Sequence, residues 1–318
     1  MRRPSSEAAR SGGVSGTSDV APAIGTARML PPSPLAGYRV LVRSDGPLVV
    51  AHRGSSDLIA EHTLAAYEQA IIDGADAVEC DVRMTRDGHL VCVHDRRLHR
   101  TSNGRGLVSE SSLADLAELD FGSWKYGLPE SADELVAERE LDPDHREARR
   151  RLLTFDRLLD LVTDSPRPMR LLVETKHPTR YGNMVEEKLV DALRRHGLAS
   201  PADPRESPVT MMSFSPLAVR RVRVRAPRLP TVLLMESVPL LYRDGTLPFG
   251  IGIAGPDLEI LRAHPHYAER VRSQGNQVYV WTVDAPTDID LVLSLGVDAV
   301  ISNRPSSVLT RLGRDAHS

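Results

Sequence analysis

The chain has 318 residues, 41% of them hydrophobic and 26% charged, a globular balance at a length that suits one α/β barrel. Its net charge of −3 excludes the basic field of a nucleic-acid binder, and no run reaches the ~18 apolar residues of a membrane span. The two cysteines, Cys80 and Cys92, are too few for a disulfide scaffold, and no ~7–15-residue apolar segment of a secretory signal follows Arg2 and Arg3, so a cytoplasmic location is expected.

Residues 1–37 are rich in Ser, Gly, Ala and Pro, lack periodicity and are expected to form a disordered tail, with Met29 an alternative start. Residues 38–318 then form a single domain. GPLVVAH at 46–52 reads as a buried strand. In TLAAYEQAIIDGA, Leu64, Tyr67, Ala70 and Ile71 share one helical face, and Gly74 falls where a helix C′ residue belongs. DAVECDV at 76–82 is a second strand, which completes a βαβ unit with parallel strands. Asp87-Gly88, between the apolar ends of ECDVRM and HLVCVHD, signals a hairpin. A two-residue loop sets Asp81 opposite His94 and Arg83 opposite Cys92. Glu79, Asp81 and His94 then share one face, and Cys80 lies on the face away from Cys92.

Residues 101–150 are polar and irregular. Ser112 to Asp115 fits a capping box, and the highly charged stretch from Pro129 to Arg151 reads as an exposed excursion. Further on, TFDRLLDLVT at 154–163 is an amphipathic helix, followed by strand LLVETK at 171–176 and a helix over 183–196. Strands follow at 209–214, 231–236, 249–255, 277–283 and 297–303. Helices are expected from Pro216, over 257–274, and at TDIDLVLSLG. Without the hairpin's return strand, eight parallel strands alternate with helices, which is the arithmetic of a (β/α)8 TIM barrel. That fold places its active site at the C-terminal ends of the strands. Here those ends carry His52-Arg53, Glu79 and Asp81, Glu174 and Lys176, Ser213, Glu236 and Trp281.

Glu79 and Asp81 lie about 7 Å apart on one strand face, and such neighbours need a shared proton or a cation. Glu174 supplies a third carboxylate, and an all-oxygen set favours Mg²⁺ or Ca²⁺. The blander reading is that these are ordinary strand-end charges. His52 and His94 titrate near neutrality and suit an acid/base pair. Arg53 and Lys176 suit an anion such as a phosphate, or simply pair with the nearby acids. Trp281 either walls a substrate pocket or caps the barrel core. His62 and His177 are candidates to support the site, and His89 and His99 read as surface residues.

The ordered strings VVAHRG, EHTLAAY, VECDV, DG, LVCVHD, VETK, SF, VWTVD and ISNRP, from about residue 48 to 308, resemble the glycerophosphodiester phosphodiesterases. The resemblance implies a phospholipase C-like phosphodiesterase TIM barrel that cuts small-molecule glycerophosphodiesters to glycerol 3-phosphate and an alcohol. It implies His52 and His94 as the acid/base pair, and Glu79, Asp81 and Glu174 as ligands of one divalent cation. Arg53 and Lys176 become phosphate contacts, Trp281 the aromatic at the pocket mouth, and Glu61 a supporting residue. The family's variable insertion falls at about 96–150. The chain departs from the family where Ala60-Glu61-His62-Thr63 stands for Pro-Glu-Asn-Thr. Asp284 replaces the Asn of WTVN, and Ser302-Asn303-Arg304-Pro305 stands for a TDRP-like motif. Two other readings remain open on the residues alone. One is a phosphodiesterase acting on lysophospholipids, and the other is a non-catalytic barrel that binds phosphate esters.

Overall fold

The computed structural model describes residues 46–126 and 149–314. The tail at 1–37 and most of the charged stretch at 129–151 lie outside the described residues. Short apolar runs form β1 (Leu48–His52), β2 (Ala77–Met84), β3 (Leu90–Cys92), β4 (Arg170–Thr175), β5 (Val209–Ser213), β6 (Thr231–Met235), β7 (Ile253–Pro256), β8 (Gln277–Val280) and β9 (Ala299–Ser302). Between them lie helices α1 (Leu64–Ile72), α2 (Leu113–Ala117), α3 (Phe155–Thr163), α4 (Met184–Arg195), α5 (Pro216–Arg225), α6 (Leu258–Ala263), α7 (His266–Ser273) and α8 (Pro286–Ser294), and α9 (Pro305–Arg311) follows the last strand. Side-chain caps open several helices, the expected capping box of Ser112 and Asp115 among them. Thr63 and Thr154 cap α1 and α3, and Ser112 with Asp115 forms a complete capping box on α2.

Among the described residues β1, β2 and β4 to β9 are parallel neighbours. Pairing of β1 with both β9 and β2 closes them into an eight-stranded barrel. The expected TIM barrel is the observed fold. Alternation along each strand divides the core in two. Leu48, Val50, Ala77, Leu172, Met212 and Tyr279 point into the barrel and pack on one another. Val49, Ala51, Val78, Cys80, Val82 and Val173 point outward and pack with helix residues such as Tyr67, Phe155 and Leu158. Each of the Val, Leu, Met and Phe side chains among them stabilises the fold by about 1.5–3 kcal/mol on burial. A smaller cluster of Val91, Val93, Leu98, Val108, Leu116 and Phe121 covers the face of β3 opposite Leu90 and Cys92.

Three expectations are corrected. The hairpin pairs Val82 with Cys92, Arg83 with Val91 and Met84 with Leu90, one residue away from the expected register. The cause is a three-residue loop, Arg86-Asp87-Gly88, closed by Thr85 N–H donating to the His89 carbonyl at 2.9 Å, with Gly88 at φ 87°. Asp81 therefore faces Val93, whose N–H donates to the Asp81 carbonyl at 3.0 Å, and His94 lies beyond the strand. The same shift puts Cys80 and Cys92 together in the outer core, where both remain free thiols. The helix expected over 257–274 is two, α6 and α7, broken at His264-Pro265 because proline disfavours helical backbone in the residue before it. Finally, α9 closes the chain against β1 and β9 where no helix was expected.

Candidate active site

The site is the upward continuation of the barrel's inner face. On β1 the inward positions run Leu48, Val50, His52, and on β2 Ala77, Glu79, Asp81, Arg83. On β4 they run Leu172, Glu174, Lys176, and on β9 Ala299, Ile301, Asn303. Each strand is apolar at the bottom and polar at its C-terminal end. Parallel pairing sets His52 beside Glu79 and Asp81 beside Glu174.

Glu79, Asp81 and Glu174 are buried, with one oxygen of each within 4.8 Å of the others. Burial and the charge of Asp81 push the Glu79 carboxyl well above its usual range, and the same causes lift Glu174 to about 8. Burial works against Asp81 as well, yet Lys176, His62 and Arg53 hold it well below the usual range. This crowding of hard oxygen ligands is relieved by a divalent cation, so the residues fit one. Lys176 Nζ sits 3.0 Å from Glu174 and 3.4 Å from Asp81. Arg53 Nη1 donates to Glu61 at 3.0 Å, and its Nε lies 3.1 Å from Asp81 without an aligned hydrogen bond.

The loop after β1 takes an uncommon path. Arg53 and His62 adopt left-handed backbone at φ 60° and 63°. Glu79 holds the Arg53 N–H through both its carbonyl and its carboxylate at 3.1 Å, and the Arg53 carbonyl accepts from His62 N–H at 3.1 Å. Gly54 is required because any Cβ there would lie 2.6 Å from the backbone of Ala66.

The two candidate histidines have different surroundings. His52 Nδ1 bonds Asn303 Oδ1 at 2.8 Å, and Asn303 Nδ2 donates to Asp284 at 2.7 Å. Because the amide's N–H₂ is committed to Asp284, its oxygen faces His52, and Nδ1 carries the ring proton. That leaves Nε2 as a bare acceptor, 4.0 Å from Glu79. Burial, with Arg53 beside it, lowers His52 to about 3. His94 Nδ1 instead meets the Asp95 carboxylate at 2.7 Å. Asp95 also accepts from Arg100 at 2.5 Å, and Arg100 donates twice to Glu61. Burial outweighs the pull of Asp81, and Arg53 and Lys176 add to it, so His94 falls to about 4.

Trp281 caps the inner core: its Nε1 donates to the Gly255 carbonyl at 2.8 Å, and its ring meets Phe214 edge-on at 5.4 Å. Phe214 in turn lies 5.7 Å from Lys176 Nζ. His62 is buried against Asp81 at 3.0 Å and Tyr67 at 2.8 Å. His177 turns away to Glu186 on α4, Ser213 is spent on the Thr175 carbonyl, and Glu236 is exposed. His89 and His99 are exposed, as expected. The sequence marks Asn303 and Asp284 only as departures from the family motifs and gives no role to Asp95 or Phe214. Asn303 and Phe214 continue the inward alternation of β9 and β5, a signal present in the sequence.

An eight-stranded barrel whose mouth unites three carboxylates, two imidazoles and two cations belongs to the class of phosphoric diester hydrolases. Residues 52–307 match the model of the glycerophosphoryl diester phosphodiesterase family, and the chain belongs to that family. It is 48% identical over 259 residues to "Probable glycerophosphodiester phosphodiesterase 1" of Mycobacterium tuberculosis (strain ATCC 25618 / H37Rv), covering 81% of this chain and 90% of that protein. It is 34% identical over 283 residues to the glycerophosphodiester phosphodiesterase of Bacillus subtilis (strain 168), covering 87% and 90%. The solved structure of an Oleispira antarctica phosphodiesterase in complex with the product sn-glycerol-3-phosphate shares the fold. That match has a TM-score of 0.69 at 23% identity over 85% of this chain and 98% of that one.

Proposed function

We propose that the chain hydrolyses glycerophosphodiesters to glycerol 3-phosphate and an alcohol, using one divalent cation, Mg²⁺ or Ca²⁺, held by Glu79, Asp81 and Glu174. The observation that carries this reading is the convergence of those three buried carboxylates within 4.8 Å, next to His52. The cation would polarise the phosphoryl group and offset negative charge in the transition state. Arg53 keeps one N–H without an aligned acceptor, a donor suited to a phosphate oxygen, and Lys176 adds a second charge over the same ground. His52 and His94 serve as the acid and the base, one taking the proton of the nucleophile and the other giving one to the leaving alkoxide. Asn303 and Asp95 fix the orientation of the two rings. Trp281 walls the side of the mouth where the glycerol or the alcohol lies.

We further read 38–318 as one domain carrying a variable insertion at about 96–150, acting on a small molecule in the cytoplasm. Among the described residues no helix is long and apolar enough to cross a membrane. The test is release of glycerol 3-phosphate from a panel of glycerophosphodiesters, with EDTA treatment and add-back of single metals. Turnover should vanish with EDTA and return with Mg²⁺ or Ca²⁺. Turnover indifferent to chelation refutes the metal role, and an inactive, metal-replete enzyme refutes the substrate class.

A further inference from the structure

A second concave surface opens beside the mouth, on the side of His94. Arg83 is the next inward residue of β2 after Asp81, and its Nε donates to the His94 carbonyl at 2.8 Å. It lines a cleft of about 390 Å³ together with Asp95, Arg96, Arg97 and His99. Arg83 and Arg96 also line a narrower cleft of about 40 Å³ that reaches Lys176 and Arg180. Arg83 and Arg96 therefore wall both clefts, and both clefts border the catalytic groups. Lys176 touches Asp81 and Glu174, and Asp95 touches His94.

Arginines outnumber uncommitted carboxylates on this surface, although Asp81, Glu174 and Asp95 attract Arg83 from beyond contact distance. Asp95 is committed to His94 and Arg100, and Glu110 pairs with Arg180 at 3.1 Å. Among the described residues no carboxylate comes within ion-pair distance of Arg83, Arg96 or Arg97. Isolated arginines on a protein surface are common. Three converging on one cleft repel one another, and a bound anion relieves that repulsion. Guanidinium groups present paired donors that match phosphate oxygens. The scissile phosphate is already provided for by Arg53, Lys176 and the carboxylate site, so the anion recognised here is a different one.

We propose that Arg83, Arg96 and Arg97 form a second anion subsite that receives a phosphate group carried by the leaving alcohol of the glycerophosphodiester. This rests on the reading of the reaction given above. With His94 as the group that protonates the leaving alkoxide, the subsite lies on the side of the departing alcohol.

The experiment compares glycerophosphoinositol with glycerophosphoinositol 4-phosphate, which differ by one phosphate on the alcohol. The wild type should favour the 4-phosphate by about 10- to 100-fold in kcat/KM, mostly through KM. The double variant Arg96→Ala/Arg97→Ala removes exposed side chains and spares the half-buried Arg83. It should bring that preference to within about twofold, at an unchanged melting temperature. A wild-type preference near one, or a preference that survives the double variant, overturns the subsite. If neither ester is hydrolysed, the proposed reaction is at fault, and calorimetry with inositol 4-phosphate then decides the subsite alone. Binding lost in the double variant supports it, and no binding to the wild type overturns it. Sedimentation with phosphatidylglycerol vesicles is the last arm. Vesicle binding through the same arginines, without discrimination between the soluble esters, overturns the subsite in favour of a membrane-docking face.

Discussion

His52 and His94 stand on different ground. His52 ends a barrel strand, its side chain is 15% exposed, and its Nδ1 meets a neutral amide backed by a carboxylate one residue further away. His94 lies in a loop past the end of β3, its side chain is 31% exposed, and its Nδ1 meets a carboxylate directly. The first ring is held by the barrel wall, through β9 and the segment after β8. The second is held by a chain of ions, Asp95, Arg100, Glu61 and Arg53, that ties the loop back to the β1 turn. A site can therefore position one imidazole by close packing and the other by charge. The two supports should fail in different ways.

The largest effect should come from the rings themselves. His52→Ala and His94→Ala should each lower kcat by about 10²–10⁴-fold, measured as glycerol 3-phosphate release. Near-normal rates in both would end the acid/base assignment.

Next comes the wall that holds His52. Asn303→Ala should cost about 10- to 100-fold in kcat with little change in KM, since Asn303 acts on the ring's orientation and not on the substrate. The double variant Asn303→Asp/Asp284→Asn exchanges the two partners and should recover most of the loss. If Asn303→Ala raises KM alone, Asn303 contacts substrate and the contrast between the two rings needs redrawing.

The ionic side is probed by Glu61. Burial alone would raise its carboxyl, but Arg100 and Arg53 hold it down at about 2, against an ordinary value of 4.5. A depressed value means stability that is complete above about pH 4.5 and lost as pH falls towards 2. Glu61→Gln should lower unfolding free energy by about 1–3 kcal/mol at neutral pH. It should also flatten the acid limb of a urea-unfolding series. An unchanged acid limb would show that the ion chain carries no stability.

The smallest effect belongs to the aromatic side of the mouth. Trp281→Phe removes the bond to the Gly255 carbonyl and should cost about 1 kcal/mol of stability. Activity should stay within a few-fold of wild type, which would mark this wall as shaping the mouth while the two histidines do the chemistry.

Much of this was readable from the sequence alone. Strand and helix order, the eight-fold alternation and the barrel follow from apolar periodicity, which is local. The inward carboxylates of β2 and β4 follow from a period of two. So do Asn303 and Phe214, the last residues of the expected strands 297–303 and 209–214, which the same period turns inward. What tertiary structure decided were quantities that depend on a single residue of register or on contacts between distant segments. An Asp-Gly turn serves loops of two or three residues, and that one-residue difference decides whether Asp81 faces His94 or Val93, and whether Cys80 and Cys92 are apart or together. The pairing of Asn303 with His52 spans 251 residues, and the chain from Asp95 through Arg100 to Glu61 joins two separate loops. Only closure of the barrel brings these segments together. The sequence by itself determined which side chains stand at the rim, because side-chain direction is a property of each strand. The fold decided how those side chains are held, because that depends on neighbours the chain reaches only once it is folded.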